Sequence, residues 1–329
     1  MTADIIAALP KVELHLHLDC SLSYEVVRRL DPAISQGQYR AEFVAPPVCS
    51  SLADFLTRAP RGFQLMQSVE ALQLVTEDLF AQLAADNVLY AEIRFAPLLH
   101  LERGLTAEQV IAAVDRATER TIRATGIEAR LILCTLRHYT HAQSMETAEW
   151  VKRFQGSRVV ALDIAGDEAG YPINAHVDAF RFAQENGLNR TAHAGEAAGA
   201  ESVWETLRAF APTRIGHGVR SAEDPTLVEY LKRERIHLEM CPTSNVQTQA
   251  VRRYDEHPVD RLLRDGVSVS VSTDTRTITD VTLNREYAGL ARAFGWGPAE
   301  FARSNENALR AAFLPEPARA DLMRRLTAA

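Results

Sequence analysis

Two histidines two residues apart, His15 and His17, lie in a short apolar run near the N-terminus. In a β-strand, residues i and i+2 share a face, so both imidazoles would project to one side and Leu14, Leu16 and Leu18 to the other. Paired imidazoles on a rigid strand are a metal-ligand arrangement that suits zinc, iron, copper or nickel. Polar residues on the solvent face of a strand explain an isolated His-x-His equally well. Residues elsewhere in the chain must therefore decide between a metal site and a solvent-exposed strand face.

Further side chains with metal-binding or acid–base chemistry follow later apolar runs. They are Asp163, Asp167 and Glu168, then His193 and Glu196, then His217, then Cys241–Asn245, and finally Asp274. Taken singly, His193 or His217 is more often a hydrogen-bonded core histidine than a ligand. Asp274 alone could cap a helix, and Glu196 alone could be a solvated carboxylate. Because these residues come from separate loops, their coincidence favours a functional site.

Eight apolar, strand-like runs alternate with helix-like segments along the chain. The runs are Val12–His17, Val88–Ala96, Arg130–Leu136, Val159–Ala165, Arg190–His193, Arg214–Gly218, His237–Met240 and Val267–Ser272. Helical spacing of apolar residues is clear in Ala107–Thr125 and Pro225–Arg235. After the second run the repeat is roughly 30 residues, the size of a βα unit. We predict an α/β fold, a single (β/α)8 TIM-type barrel whose site forms at the carboxyl ends of the strands.

The first interval is much longer than the others. Residues 23–86 must contain extra helices inserted after strand one, including Ser51–Arg58 and Val69–Ala85. An insertion at this point is expected to cover the mouth of the barrel. Since no linker, repeat or low-complexity segment divides the chain, residues 1–329 are expected to form one domain.

Composition excludes several classes of protein. A net charge of −7 and a pI near 5.8 argue against nucleic acid or an anionic membrane as partner. No apolar stretch is long enough for a transmembrane helix, and residues 1–10 do not resemble a signal peptide. The four cysteines are scattered, so neither a cysteine zinc site nor a disulfide framework is expected. We expect a cytoplasmic protein, while its oligomeric state stays open.

The set of motifs resembles the adenosine deaminase family of the amidohydrolase superfamily. The matching segments are Pro10–Asp19, Leu162–Glu168, His193–Glu196, Arg214–Gly218, Cys241–Asn245 and Ser272–Asp274. The resemblance extends from Leu9 to about Arg310, and the complete set in this order is highly specific.

The resemblance implies a distorted (β/α) barrel with one catalytic divalent metal, usually zinc. It implies that His15, His17, His193 and Asp274 are the ligands. Three nitrogens and one oxygen leave a position for water, as a catalytic zinc site requires.

Deamination of an aromatic amine needs a strong nucleophile at neutral pH, and bound zinc supplies one by lowering the pKa of its water to about 7. Attack at purine C6 pushes electrons onto N1, which must then receive a proton. Glu196, three residues after His193, is the expected general acid and must be protonated at working pH. His217 would orient the attacking water and take its proton or stabilise its charge. Asp274 could share that proton.

Substrate contacts follow from the same resemblance: His17, Asp19, Gly166 and Thr275. The backbone amide of Gly166 would contact purine N3, and Asp19 would accept the ribose 5′-hydroxyl and repel a 5′-phosphate. The family usually has Thr-Asp-Asp-Pro where this chain has Thr273-Asp274-Thr275-Arg276, so a hydroxyl replaces the carboxyl expected at N7. Cys20 stands where glycine is common.

The expected reaction is conversion of adenosine and 2′-deoxyadenosine to the corresponding inosines and ammonia. One alternative is the same chemistry on adenine, a 5′-modified adenosine or aminodeoxyfutalosine. A second is a non-catalytic nucleoside-binding barrel. Ester or phosphoester hydrolysis at two metals has little support, because no lysine lies at a predicted strand end.

Overall fold

The computed structural model describes residues 1–328, in which eight parallel strands follow one another in chain order around a barrel. The strands are β1 (Lys11–His17), β2 (Val88–Phe95), β3 (Glu128–Leu136), β4 (Val159–Ala165), β5 (Asn189–Ala194), β6 (Arg214–His217), β7 (His237–Met240) and β8 (Val269–Val271). This confirms the predicted TIM-type barrel.

The barrel is closed between its last and first strands by the backbone of one residue. The N–H of Asp274 donates to the carbonyl of His15 (3.0 Å), and its own carbonyl accepts from the N–H of His17 (2.8 Å). Leu16 and Asp274 thus form a parallel bridge just beyond β8. Strand closure therefore sets the positions of three predicted ligands at once.

Within residues 1–328, sixteen α-helices connect and cover the strands. They are α1 (Ala3–Ala8), α2 (Tyr24–Leu30), α3 (Gln36–Phe43), α4 (Leu52–Leu56), α5 (Ala59–Phe63), α6 (Val69–Ala85), α7 (Ala107–Thr125), α8 (His141–Arg153), α9 (Val177–Glu185), α10 (Ala200–Phe210), α11 (Pro225–Glu234), α12 (Pro242–Gln247), α13 (Val259–Arg264), α14 (Leu283–Phe294), α15 (Pro298–Ala311) and α16 (Glu316–Thr327). None of the helices described is long and apolar enough to cross a membrane.

Helix α7 illustrates why these elements form where the sequence predicts them. Thr106 and Gln109 form a capping box at its start, and Gly126, with φ of 73°, ends it in the left-handed conformation. Val110, Val114 and related apolar residues at helical spacing are buried, so one face of α7 packs on the barrel.

The insertion after β1 divides into two parts, which differs from the prediction of a single cover over residues 23–86. Helices α4 and α5 line the cavity at the barrel mouth. By contrast α6, predicted correctly as Val69–Ala85, packs against α7 and β2 in the outer ring. The apolar face of α6 matches the outside of the barrel, so only the segment before it covers the site.

The ends of several elements also differ by a few residues. β8 is three residues long, whereas Val267–Ser272 was predicted. Leu18 lies in a 3-10 helix (Leu18–Cys20) and not on β1. In both cases the apolar run continues past the last ladder hydrogen bond, because these residues are buried by loops that cover the rim.

Ionic side chains fill the middle of the barrel. Arg94 and Arg214 are fully buried there, and both bind the carboxylate of Glu239 (2.6 and 2.8 Å). Arg94 also binds Asp163 (2.8 Å), and Arg214 binds Glu92 (2.6 Å). Since each of these charges is paired, the barrel holds a connected ionic network directly beneath the rim.

Candidate active site

The four predicted metal ligands converge at the carboxyl ends of three strands. His15 and His17 come from β1, His193 from β5, and Asp274 follows β8. His17 Nε2 lies 3.1 Å from His193 Nε2 and 3.6 Å from Asp274 Oδ1. His15 Nε2 lies 3.4 Å from the same oxygen.

Two of these three distances match the edges of a ligand tetrahedron around a small cation, and the third, 3.1 Å, is slightly shorter. Bonds of 2.0–2.2 Å in tetrahedral geometry place neighbouring ligand atoms about 3.3–3.6 Å apart. His15 Nε2 is fully buried and makes no hydrogen bond to any residue within 1–328. A buried nitrogen lone pair without a partner is costly, and a bound cation would remove that cost. The donor set therefore fits a zinc-type ion.

Buried carboxylates orient two of the imidazoles. Glu239 Oε2 accepts from Nδ1 of His15 (2.8 Å), and Asp163 accepts from Nδ1 of His193 (3.2 Å). Each contact places the ring proton on Nδ1 and directs the Nε2 lone pair into the site. Burial opposes ionisation of Asp163, but the charges of His193 and Arg94 outweigh it and hold its pKa far below the usual range.

The general-acid candidate, Glu196, lies beside this cluster and is 4% exposed. Burial, reinforced by the negative charges of Asp274 and Glu168, raises its pKa well above the ordinary value. The hydroxyl of Thr248 donates to Glu196 Oε1 (3.1 Å), and Glu196 lines the cavity at the barrel mouth. A glutamic acid that keeps its proton at neutral pH is what protonation of a ring nitrogen requires.

The loop that carries Glu196 is held by the carboxylate of Glu168. Glu168 accepts from the backbone N–H groups of four consecutive residues, 195–198, at 2.6–2.9 Å. Ser202 adds a hydroxyl donor at 2.6 Å. Five donors on one buried carboxylate fix this loop rigidly, so Glu196 is placed by a residue that precedes it by a whole βα unit.

His217 and Asp274 complete the polar rim. His217 Nε2 lies 3.5 Å from Glu196 Oε2, and its Nδ1 lies 3.1 Å from the side-chain nitrogen of Asn245. Asp274 Oδ2 accepts from the hydroxyl of Ser244 (2.6 Å), which leaves Oδ1 for the histidine cluster. Both His217 (φ 59°) and Asp274 (φ 65°) adopt left-handed backbone conformations, a strain typical of functional sites.

More than four side chains could act as ligands. One donor atom from each of His15, His193, His217 and Asp274 lies within 4.8 Å of the others. His17 is outside this particular group, yet its Nε2 makes shorter contacts with His193 and Asp274. Geometry by itself thus offers five donors for four positions.

The predicted substrate residues line a cavity of about 480 Å³ above the cluster. Asp19 lies in its wall, fixed by the N–H of Ala96 (3.1 Å), and burial raises the pKa of Asp19 to about 6. Gly166 lines it with φ of 104°, a conformation that favours glycine. Thr275 is 4% exposed, and its hydroxyl has no hydrogen-bond partner in the described chain. Cys20 ends the 3-10 turn at the cavity wall, as expected of a small residue there.

Sequence reasoning missed several residues that position the site. They are Arg94, Thr248 and Glu239, and it quoted Asp163, Glu168, Ser244 and Asn245 without giving them roles. A usable signal existed for Glu239 and Arg94, because each is a charged residue inside an apolar strand run. Such residues in parallel strands, which are buried on both faces, must find partners in the barrel interior.

Three comparisons place the chain among known proteins. The sequence profile of a family described as adenosine deaminase matches residues 10–329. An adenosine deaminase from Mycobacterium ulcerans is 39% identical over 95% of this chain and 92% of its own length. One from Clostridium acetobutylicum is 35% identical over 98% of both chains.

The fold is also similar to solved structures. The crystal structure of an adenine deaminase from Arthrobacter aurescens superposes with a TM-score of 0.89 at 26% identity. The superposition covers 97% of this chain and 98% of that one.

Proposed function

The chain belongs to the adenosine deaminase family, and on that premise we propose that it hydrolyses adenosine and 2′-deoxyadenosine to the corresponding inosines and ammonia. The observation that carries the proposal is the convergence of an acid held in its protonated form with a tetrahedral set of metal donors. We also infer that residues 1–329 act as one catalytic domain.

The family is metal-dependent, and we infer that the metal here is one zinc ion held by His15, His17, His193 and Asp274. Nitrogen and carboxylate donors at tetrahedral spacing favour zinc over magnesium or calcium, which prefer six or more oxygen ligands. When bound, the ion would lower the pKa of a water molecule and so supply the nucleophile.

The residues around the cavity can account for every proton. Glu196 gives its proton to purine N1 as the water oxygen bonds to C6. As the C6–N bond breaks, one water proton leaves with nitrogen as ammonia, and the other restores Glu196. Asp274, whose pKa is lowered by neighbouring histidines although burial opposes this, is a carboxylate able to relay a proton.

The cavity favours an uncharged nucleoside over a nucleotide. Its charged lining consists of acidic residues and histidines, and no lysine or arginine lines it in the described structure. Asp19 would accept a ribose hydroxyl but repel a phosphate at that position. Gly166 and Thr275 are the proposed contacts to N3 and N7 of the base.

Adenine is the second candidate substrate, because the structurally similar protein from Arthrobacter aurescens is an adenine deaminase. We propose a cytoplasmic location, which the four free thiols favour.

The test is ammonia release by the zinc-loaded protein from adenosine, 2′-deoxyadenosine, adenine, 5′-deoxyadenosine, aminodeoxyfutalosine and adenosine 5′-monophosphate. Adenosine and 2′-deoxyadenosine should have the highest kcat/KM. Adenosine 5′-monophosphate, a nucleotide, should have a lower kcat/KM than any of the nucleosides. Fast turnover of adenine with none of adenosine would contradict the proposal.

Asp19→Ala should raise KM for adenosine more than for adenine, because only adenosine offers the ribose hydroxyl.

Glu196→Gln should reduce kcat by about 10²- to 10⁴-fold, the usual contribution of a general acid. Glutamine keeps the shape and the bond from Thr248 but cannot give up a proton. Metal content should stay near one ion per chain, measured by elemental analysis. Retained turnover would remove Glu196 from the acid role.

A further inference from the structure

A chain of hydrogen bonds runs from the backbone of α13 to His217. The N–H of Val259 donates to Nδ1 of His257 (3.1 Å). His257 Nε2 lies 3.1 Å from Asn245 Oδ1, and Asn245 Nδ2 lies 3.1 Å from His217 Nδ1. The three side chains are at most 3% exposed. The segment Cys241–Asn245, which begins α12, therefore connects His217 with His257 through the side chain of Asn245.

The direction of these bonds is set at one end. A backbone N–H can only donate, so His257 Nδ1 must be the acceptor there. Burial lowers the pKa of His257 to about 3, so at neutral pH the ring has a single proton, which must be on Nε2. That proton can only go to an acceptor, which requires Asn245 to present its oxygen to His257 and its NH₂ group to His217.

We propose that this backbone N–H sets, through His257 and Asn245, the ring nitrogen on which His217 carries its proton. Because the Asn245 amide donates to Nδ1 of His217, neutral His217 is protonated on Nε2. His257 and Asn245 are thus positioning residues for the deamination reaction, and the inference rests on the proposed function for its catalytic consequence.

Two consequences follow for His217. Its Nδ1 lone pair is occupied by Asn245 and its Nε2 carries hydrogen, so neither nitrogen is free to bind a metal ion. This resolves the choice among five donors in favour of His15, His17, His193 and Asp274. His217 also has no free lone pair to take a proton from water. It acts as a hydrogen-bond donor to the attacking oxygen, and the proton goes to a carboxylate.

The first test reads the tautomer directly. Zinc-loaded protein labelled with ¹⁵N-histidine is examined by long-range ¹H–¹⁵N correlation, which separates protonated ring nitrogens from those with a lone pair. The signals of His217 are assigned by their loss in His217→Asn. We expect protonated Nε2 and unprotonated Nδ1 at neutral pH. Protonated Nδ1, two ring protons, or a metal-bound Nε2 would overturn the inference. This readout needs no turnover, so it stands even if the proposed substrate is wrong.

The second test alters the hydrogen-bond donor at His257 and leaves the catalytic residues unchanged. The side-chain amide of His257→Gln can still donate to Asn245, whereas His257→Leu cannot donate. We expect His257→Gln to keep kcat within about threefold. His257→Leu should lower kcat by about tenfold or more, towards the roughly 10⁴-fold cost of a wrong histidine tautomer.

In His257→Leu, KM should change by less than about twofold, and the spectrum should show both tautomers of His217. Equal losses of kcat in the two variants would mean that His257 acts by packing, and the proposal would be wrong. Bound metal provides a third readout: His217→Asn should keep about one ion per chain, whereas His193→Asn should lose it. Loss of the ion from both would show that His217 is a ligand and overturn the inference.

Discussion

Thr275 is one of two residues, with Arg276, at which this chain departs from the Thr-Asp-Asp-Pro pattern of its family. A carboxyl group must be protonated to donate to purine N7, whereas a hydroxyl donates at any pH. The hydroxyl of Thr275 is buried and unpaired among residues 1–328, so a purine nitrogen would be its natural partner. We therefore propose that the hydroxyl of Thr275 takes the place of the family's acid as the donor to N7.

Thr275→Val should therefore weaken catalysis only where N7 is present. For adenosine, kcat/KM should fall roughly 5- to 150-fold, corresponding to about 1–3 kcal/mol for an unpaired group. For 7-deazaadenosine, in which carbon replaces N7, kcat/KM should hardly change. An equal fall for both nucleosides would show that the hydroxyl does not contact N7.

Gly216 matters for the space that it leaves empty. A Cβ at this position would lie 2.8 Å from Cε1 of His15 and 3.3 Å from Cγ of His193. Both rings are proposed ligands, His193 on the adjacent strand β5 and His15 on β1, so any side chain here displaces them.

Gly216→Ala should lower zinc affinity by about 10- to 100-fold, as changes around metal ligands commonly do. Metal retention against a chelator measures this. Gly37→Ala is the matched control, because its added Cβ meets only Ser35 Oγ at 4.0 Å. If Gly216→Ala holds zinc as tightly as the control, the rings of His15 and His193 accommodate the added methyl group and the expectation is wrong.

At the scale of elements, the short helix α12 and the residue after it organise the catalytic groups. Ser244 binds Asp274, Asn245 binds His217, and Thr248 binds Glu196. Since one rigid segment holds all three, their relative positions change together or not at all. The start of α12 is held in turn by α14, through the buried carboxyl of Glu286.

Glu286 accepts from the N–H of Thr243 (2.9 Å) and the hydroxyl of Tyr254 (2.7 Å). Burial raises its pKa from 4.5 to about 6 in the folded protein. The folded state therefore holds this proton more tightly than the unfolded state. As pH rises from 4.5 to 6, the protein loses the unfolding free energy that protonated Glu286 contributes in full at lower pH.

Replacing this acid should remove that pH dependence. Relative to Glu286→Gln, the wild-type protein should lose up to about 2 kcal/mol of unfolding free energy as pH rises through this window. Urea denaturation of both proteins at equal zinc concentration measures the difference. Parallel stability curves for the two proteins would contradict the assignment of this carboxyl.

At the scale of the whole molecule, buried charges link the barrel core to the site. Arg94 joins Asp163 to Glu239, and these carboxylates hold His193 and His15 respectively. The charged side chains inside the barrel thus do more than fill its core, because their ionic network fixes the tautomers of two proposed ligands, His15 and His193.

Arg94→Met should leave the buried carboxylate of Asp163 without its arginine partner and Glu239 with Arg214 alone, and should cost about 3–5 kcal/mol of unfolding free energy. Arg40→Met is the control: its pair with Asp280 is exposed, and its removal should cost less than about 1 kcal/mol. Chemical denaturation at fixed zinc concentration compares the two. A loss in Arg94→Met no larger than in the control would show that the network is dispensable.

From the sequence alone, the barrel and the order of its strands could be predicted, and the candidate site residues could be named. Apolar runs at a repeat near one βα unit specify parallel strands, and chemistry-bearing residues at the ends of those runs must meet at one rim. Helices with strong local signals, such as α6 and α7, were also predicted with their observed bounds.

Other features depended on contacts between residues far apart in the chain. Only the folded structure showed that Asp274 closes the barrel, that Glu168 caps the loop of Glu196, and that α6 belongs to the outer ring. The same holds for the hydrogen-bond partners from which the tautomers of His15, His193 and His217 are inferred. A tautomer depends on which atom of a distant residue a ring nitrogen meets, and local sequence patterns carry no information about such pairings.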